Sequence, residues 1–137
     1  MASIEKFEDI KSWQLAREVT RKIYDVSNTG AFEKDFGLRD QIRRSAVSIM
    51  SNIAEGFERE GNKEFINFLT IAKASCAEAR SQLYVVLDQQ YITPGQFEDI
   101  FSELNEIANL LGGFIRYLRN SDLKGIKFKT STLNSKL

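Results

Sequence analysis

The stretch Gln41–Gly56, QIRRSAVSIMSNIAEG, decides the fold of this chain. It contains no proline, and its only glycine is its last residue, so nothing within it interrupts a helix. Its apolar residues recur at spacings of three and four, which is the repeat of one face of an α-helix. The periodicity extends in both directions and predicts a helix over residues 36–59. The apolar stripe consists of Leu38, Ile42, Ala46, Ile49, Ile53 and Phe57.

Three other segments show the same helical repeat of apolar residues. They predict helices over about residues 9–28, 62–90 and 94–120. No segment alternates apolar and polar residues in the manner of a β-strand. The connections are short, and short connections favour antiparallel packing of neighbouring long helices. We therefore expect an all-α fold, an up-down-up-down antiparallel four-helix bundle formed by residues 1–120.

Turn and capping residues separate the predicted helices. Gly30 and Gly61 are expected to end the first and second helices, because glycine is the usual residue just beyond a helix C-terminus. Asn62 is expected to cap the start of the third helix through its side-chain oxygen. Thr93 and Pro94 suit the N-cap and first helical positions of the fourth helix.

The composition excludes most catalytic schemes. The chain of 137 residues contains no histidine, which removes the commonest general base near neutral pH and the commonest metal ligand. Its only cysteine, Cys76, lies on the apolar stripe of the third helix, where we expect a buried side chain and not a reactive thiol. We therefore expect no catalytic residues, no metal, no cofactor and no enzymatic activity.

The sequence shows no sign of a membrane or export segment. No apolar run approaches the roughly 20 residues that span a bilayer. The N-terminus, MASIEKFEDIK, is charged and lacks the apolar core of a signal peptide. A single cysteine also fits a reducing compartment. We expect a cytoplasmic protein without a membrane partner.

Residues 121–137 lack helical periodicity and form a basic tail. Four lysines oppose one aspartate there, so the segment carries a net charge of +3 within a chain that is neutral overall. A tail of this composition is expected to be mobile. We interpret it as a soluble end and not as a nucleic-acid-binding arm.

Basic residues form pairs on three of the predicted helices. The pairs on the first and second helices are spaced by one turn, and the pair on the third helix is spaced by two turns. Repeated basic stripes favour a surface that binds phosphate groups. The alternative is a set of solvated faces whose charges pair along each helix, and the charge pattern alone favours that alternative. The candidate phosphate contacts are Arg17, Arg21, Arg39, Arg43, Lys73 and Arg80.

Apolar residues extend beyond the core stripe on several helices. Extra apolar surface of this kind is a liability on a monomer and favours self-association. The alternative is a wide core stripe with apolar residues scattered over the surface. The candidate oligomer interface consists of Val47, Met50, Phe57, Leu110, Phe114 and Tyr117.

A polar stripe follows one side of the second predicted helix. Ser and Asn are mediocre helix formers, so their concentration there indicates a hydrogen-bonding or packing role. We interpret the stripe as a hydrogen-bond network between helices, and a polar binding groove is the alternative. An active site based on Glu55 and Arg44 is disfavoured, because no activated nucleophile accompanies them. The predicted structural network consists of Arg44, Ser48, Asn52 and Glu55.

The stretch Gln41–Gly56 also resembles the signature of a known family, the four-helix bundle proteins encoded in intervening sequences of bacterial 23S rRNA genes. The family is often labelled ribosomal-protein-like. The most specific part of the match is SIMSNIAEG, residues 48–56, and the resemblance reaches to about Leu118. The family commonly has proline where this chain has Met50. Other matching residues are Trp13, Ala16, Tyr24, Gly37, Leu38, Glu64, Phe65, Phe68, Leu69, Ala72, Ser75 and Glu78.

The resemblance implies both an assembly and a set of partners. It implies an antiparallel four-helix bundle that assembles as a ring-shaped homopentamer. It also implies similarity to accessory proteins of diversity-generating retroelements, which partner a reverse transcriptase and bind nucleic acid through a basic surface. It does not imply membership of the ribosome, because the label comes from gene location. With Met50 in place of proline, a kink in the second helix is expected to be weaker.

The function favoured by these observations is that of a non-enzymatic, homo-oligomeric scaffold associated with RNA or DNA. Such a protein would contact backbone phosphates without reading sequence, so its affinity would fall steeply with salt. A reverse transcriptase is a further candidate partner if the gene lies in a retroelement. The alternative function is a protein–protein interaction module with no role for nucleic acid.

Overall fold

The structure, a computed structural model, describes residues 4–121, and the regular secondary structure of this part is helical. Residues 1–3 and 122–137 lie outside the described residues, and with them almost all of the predicted basic tail. A short 3-10 turn, Phe7–Asp9, precedes five α-helices. The helices are Lys11–Ser27 (α1), Gly30–Lys34 (α2), Phe36–Glu58 (α3), Asn62–Asp88 (α4) and Pro94–Arg119 (α5).

The four long helices close into a bundle in which each packs against two others. Helix α3 lies between α1 and α4, and α5 lies between α4 and α1. The α3–α4 pair has the most extensive contact of the four pairs, and the α1–α5 pair has the least. The all-α four-helix bundle predicted from the sequence is therefore confirmed.

Side-chain contacts give the relative directions of α3, α4 and α5. On α3, Ser45 hydrogen-bonds Gln82 of α4, whereas Gly56, eleven positions later, abuts Phe65 near the start of α4. Residue numbers therefore rise on α3 as they fall on α4, and the two helices run antiparallel. The aromatic contacts between α4 and α5 follow the same order, so this pair is also antiparallel.

The core contains aliphatic side chains and a few phenylalanine rings. Phe65 and Phe114 pack edge to face with ring centroids 5.1 Å apart, an arrangement that aromatic quadrupoles favour. Cys76 is fully buried, as predicted, and burial raises the pKa of its thiol to about 12. Because the thiolate is scarce at neutral pH, Cys76 serves as a small apolar core residue.

The connection between α1 and α3 contains a short helix, α2, that the sequence did not predict. Gly30 has φ = +59° and begins α2, so it turns the chain after α1 and also starts the new helix. Phe32 is buried and stacks on Tyr91, with ring centroids 5.2 Å apart. The Tyr91 hydroxyl donates a hydrogen bond to Asp35 Oδ2 over 3.0 Å. Helix α2 is thus anchored by Tyr91, a residue far away in the sequence.

The two predicted N-caps have different outcomes. Thr93 Oγ1 accepts a hydrogen bond from the Gln96 N–H over 3.1 Å, and Gln96 Oε1 accepts one from the Thr93 N–H over 2.9 Å, so the cap at Thr93 is confirmed. The prediction for Asn62 is wrong. Asn62 is the first residue inside α4, and Gly61 occupies the cap position with φ = +86°, a conformation that strains any residue with a side chain.

Helices α3 and α4 approach each other closely at Gly56. A Cβ atom at this position would lie 2.7 Å from Phe68 Cβ and 2.9 Å from Phe65 Cδ1, well inside van der Waals contact. The lack of a side chain is therefore what allows this approach. Six residues earlier, α3 passes through Met50 without interruption, so the helix has no break where the resembling family has proline.

An ionic cluster links α1 to α5. Lys22 Nζ lies 3.0 Å from Asp99 Oδ2 and 3.2 Å from Glu103 Oε1. Burial raises the pKa of the Glu103 carboxyl, and the neighbouring Lys22 ammonium offsets only part of this shift. Burial acts to lower the pKa of Lys22, but its hydrogen bonds to Asp99 and Glu103 raise that pKa overall. This cluster makes the least extensive helix pair sensitive to pH.

Candidate nucleic-acid interface

Helices α1 and α3 form an exposed seam with a shallow groove of about 520 Å³ between them. The α3 residues in the groove are spaced by three and four, and they therefore share one side of the helix. The groove is lined by Tyr24 from α1 and by Asp40, Arg43, Arg44, Val47 and Ser48 from α3. The α1–α3 seam comprises these residues and also Arg17 and Arg21, which lie on the Tyr24 side of α1.

Arg43 holds the end of α1 against α3. Its Nε donates a hydrogen bond to Ser27 Oγ over 2.8 Å, and its Nη2 donates one to Asn28 Oδ1 over 3.0 Å. Its guanidinium also lies 4.5 Å from the centre of the Tyr24 ring, within the range of a cation–π interaction. Arg43 is therefore fixed in place by neutral partners, and its positive charge is not neutralised by a carboxylate within residues 4–121.

Arg39 is also held by partners within the protein, but one of them is acidic. Its Nε pairs with Asp40 Oδ1 over 3.0 Å, and its Nη1 donates a hydrogen bond to the Glu33 carbonyl over 2.9 Å. The guanidinium lies 4.8 Å from the centre of the exposed Phe36 ring. Because Asp40 compensates its charge, Arg39 is a poorer phosphate contact than the sequence suggested.

Three arginines of the seam are exposed, and none of them is paired with a carboxylate within residues 4–121. Arg17, Arg21 and Tyr24 are spaced i, i+4, i+7 and so share one side of α1. Arg44 borders the groove on its other side, on α3. Within residues 4–121 none of Arg17, Arg21 and Arg44 takes part in an ion pair. The seam therefore offers several cations to an anionic ligand.

The remaining two predicted phosphate contacts, Lys73 and Arg80, lie on the other side of the bundle. Both belong to α4 on its α5 side. Arg80 Nη1 donates a hydrogen bond to Asn105 Oδ1 over 2.7 Å, and Lys73 lies beside Gly112 of α5. Because α4 and α5 are opposite α3 and α1 in the bundle, the six predicted residues do not form a single surface.

The predicted polar network is present in part. Ser48 Oγ and Ser75 Oγ of α4 are 2.9 Å apart, and Asn52 Nδ2 donates to the Ser48 carbonyl over 2.8 Å and to its hydroxyl over 3.0 Å. Glu55 instead forms an ion pair with Arg59 over 2.7 Å. Arg44 is exposed at the edge of the groove, so the network that links α3 to α4 consists of its serine and asparagine members.

The predicted interface residues differ in how much surface they present. Phe57 and Phe114 are buried in the core of the subunit, because their rings pack against Phe65, so they offer little surface to a second copy. Val47 is 39% exposed at the rim of the α1–α3 seam. Met50, Leu110 and Tyr117 are half-buried.

Sequence reasoning missed two features of the surface. Tyr24, which is 38% exposed beneath Arg43, was not among the predicted site residues. Its position seven residues after Arg17 was the available signal, since this spacing places both on one side of a helix. The exposed apolar residues of α4, Ile71 and Val85, were also missed, although they lie two heptads apart and opposite the Cys76 stripe.

Two kinds of feature are absent from residues 4–121. No group of three or more His, Cys, Asp or Glu side chains is placed to hold a metal ion in this part of the chain. None of the helices described there is long and apolar enough to cross a membrane.

The fold and the seam define the class of this protein, a four-helix bundle with an arginine-rich surface seam. The chain belongs to the family described as 23S rRNA-intervening sequence protein, whose family model matches residues 8–113. This confirms the resemblance found in the sequence.

Comparison with solved structures supports the same family. The chain is similar to a protein with unknown function from the S23 ribosomal protein family of Bacteroides thetaiotaomicron VPI-5482. The two chains are 30% identical with a TM-score of 0.71, and the match covers 77% of this chain and 95% of that one. No curated protein matches this chain.

Proposed function

We propose that this protein is a non-enzymatic, homo-oligomeric, cytoplasmic scaffold that binds the backbone of RNA or DNA through the α1–α3 seam. The observation that carries the proposal is the set of three exposed arginines of the seam: Arg44 lines the groove, and Arg17 and Arg21 line a separate depression on the Tyr24 side of α1. Within residues 4–121 they have no carboxylate partner, so their charge is available to phosphate groups.

The fixed residues of the seam support the same role. Arg43 is oriented by Ser27 and Asn28, so little side-chain entropy is lost when it meets a ligand. Tyr24 exposes part of its ring beside Arg43, and an exposed ring is a platform on which an unpaired base stacks. Guanidinium groups bind phosphate oxygens through paired hydrogen bonds, so we expect recognition to rest on backbone contacts and to be independent of sequence.

Binding without catalysis is the activity that these residues suit. No histidine exists in the chain, and the Cys76 thiol is buried and protonated at neutral pH. Glu55, the one carboxylate considered as a catalytic group, is paired with Arg59. No activated nucleophile therefore borders the groove.

Self-association is supported by apolar surface outside the core. Ile71 and Val85 on α4 are each more than a third exposed and lie outside the α1–α3 seam. Together with the resemblance described above, these residues favour a homo-oligomer, for which a pentamer is the expected form. Light scattering coupled to gel filtration measures the mass directly, and a strictly monomeric mass of 15.7 kDa contradicts this part of the proposal.

A salt titration tests the binding proposal. We expect the full chain to bind a structured RNA at low salt, with a log–log salt slope of about −2 to −3 for the three arginines. The triple variant R17Q/R21Q/R44Q is expected to bind at least about tenfold more weakly, with a slope shallower by about 2 to 3. The matched control is K6Q/K11Q/K63Q, which removes three exposed charges outside the seam.

A protein–protein interaction module remains the second candidate function, because Ile71 and Val85 form exposed apolar surface on α4. A reverse transcriptase is one such partner if the gene lies in a retroelement. Affinity purification from native lysate with and without nuclease separates the two functions. Partners that survive nuclease and are lost in I71S/V85S favour the interaction module, whereas partners released by nuclease favour the scaffold.

A further inference from the structure

A second cationic surface lies where α4 packs against α5, which we call the α4–α5 seam and define by Lys73, Arg80, Tyr84 and Arg116. A Cβ atom added to Gly112 would lie 3.7 Å from Lys73 Cε and 3.5 Å from Arg116 Nη1. The two cationic side chains therefore cover the same turn of α5. Neither forms an ion pair with a carboxylate within residues 4–121.

The neighbouring charges of Lys73 and Arg116 indicate an anionic ligand. Like charges held side by side repel each other, and an anion placed between them turns this repulsion into attraction. A phosphate group suits this pair, because a guanidinium binds two of its oxygens at once and an ammonium adds a compact charge. Both side chains are exposed, so a ligand reaches them from solvent.

The α4–α5 seam repeats the composition of the α1–α3 seam. Each contains an arginine held by neutral partners: Arg80 bonds Asn105 and the Cys76 carbonyl, as Arg43 bonds Ser27 and Asn28. Each also contains an exposed tyrosine: Tyr84 lies one turn after Arg80, and Tyr24 lies beneath the Arg43 guanidinium. Tyr24 is 38% exposed and Tyr84 is 51% exposed.

The two seams face away from each other. In the bundle, α1 and α3 form one layer and α4 and α5 form the other. Each helix with its side chains is about 10–12 Å across, so the seams are roughly 20 Å apart on opposite surfaces. The backbone of one nucleic-acid segment lying on the first seam does not reach the second.

We infer that the α4–α5 seam is a second phosphate-backbone site, so that each subunit holds two nucleic-acid segments on opposite sides and bridges them. The inference rests on the proposed function for the α1–α3 seam and adds a second ligand and a bridging activity. On α4 the seam extends from Lys73 to Tyr84, roughly 17 Å or about the length of 5 base pairs, so a short duplex covers all of it.

Stoichiometry tests the inference. The full chain is titrated at low salt with a DNA duplex of about 12 base pairs, and the number of duplexes bound per subunit is measured by isothermal titration calorimetry. We expect two duplexes per subunit for the wild type and one for K73Q/R116Q. We also expect one for R17Q/R21Q/R44Q, because the α4–α5 seam is intact there. The control K6Q/K11Q, which removes two exposed charges outside both seams, is expected to bind two.

Energy transfer between donor-labelled and acceptor-labelled duplexes measures bridging in the same samples. We expect a strong transfer signal for the wild type and the control and a weaker one for K73Q/R116Q, in which only duplexes on neighbouring subunits of the homo-oligomer transfer energy. Two duplexes per subunit, or undiminished transfer, in K73Q/R116Q would overturn the inference. A wild type that binds one duplex through the α1–α3 seam overturns the inference but leaves the proposed function standing. A wild type that binds none overturns both.

Discussion

The arginines of the α1–α3 seam differ in the partners of their guanidinium groups. This difference distinguishes an arginine that stabilises the fold from one that is available to bind a ligand. Arg43 uses its donors on Ser27 and Asn28 and so joins two helices. Arg44, the next residue, is exposed and forms no ion pair within residues 4–121. Adjacent residues of the same type therefore have different roles, because only Arg43 bonds Ser27 and Asn28 at the end of α1.

This difference predicts that substitutions at Arg43 and Arg44 affect the stability of the protein to different extents. R43A removes two hydrogen bonds and a cation–π contact, and it is expected to lower the free energy of unfolding by about 1–3 kcal/mol. R44A is expected to change that free energy by less than about 0.5 kcal/mol while weakening binding to RNA. Urea unfolding followed by circular dichroism measures the first quantity. Equal losses of stability in the two variants contradict the assignment.

The helices themselves were largely predictable, because their signals are local. The apolar stripe from Ile42 to Ile53 and the Thr93-Pro94 cap each lie within a few turns of sequence, and both appear in the structure. Helix α2 was not predictable in this way, because it depends on the stack of Phe32 against Tyr91. The cap at Gly61 was missed because its positive φ belongs to the turn and not to the helix pattern.

Two glycines in helices provide a test of helix packing. At Gly56 a Cβ atom meets Phe68 Cβ at 2.7 Å, so G56A is expected to force α3 and α4 apart and to cost about 1–3 kcal/mol. At Gly112 the nearest neighbours are the mobile ends of Lys73 and Arg116, at 3.5 Å or more. G112A is therefore expected to be neutral or to stabilise by up to about 1 kcal/mol, because alanine favours helix. Thermal unfolding of both variants measures the change in stability. A larger loss of stability in G112A than in G56A contradicts the packing described here.

We expect Glu103, which lies in the contact between α1 and α5, to make the stability of the protein depend on pH. The pKa of Glu103 is raised in the folded protein by burial, so its contribution to stability is full below its ordinary pKa of 4.5. That contribution is lost as pH rises through the raised pKa. E103Q is neutral at every pH and is expected to remove this loss, whereas E106Q, an exposed neighbour on the same helix, is expected to retain it. Urea unfolding at a series of pH values is the measurement, and identical pH profiles for E103Q and the wild type contradict the assignment.

At the scale of the whole molecule, the distribution of charge matters more than its total. Lys and Arg number 19 and so do Asp and Glu, so the neutral chain gives no overall attraction to nucleic acid. Folding gathers cations into two seams on opposite sides of the bundle. The sequence showed the basic residues but not this division, because the side of the bundle that a helix faces depends on which helices pack around it.

The oligomer surface was the least predictable feature for the same reason. Phe114 looked like a flank residue from its position on the helix, but it packs edge to face against Phe65 in the core. Ile71 and Val85 were not predicted as surface residues, yet they lie on the exposed side of α4. Whether an apolar residue is in the core or on the surface is decided by neighbouring helices that are distant in sequence.

The most direct test is the salt dependence of RNA binding by the wild type and by R17Q/R21Q/R44Q. Three arginines on one seam predict a slope of about −2 to −3 for the wild type and a slope shallower by about 2 to 3 for the variant, with at least about tenfold weaker binding at low salt. The control K6Q/K11Q/K63Q is expected to behave like the wild type. Equal affinity and equal slope for wild type and triple variant would contradict a nucleic-acid role for the α1–α3 seam.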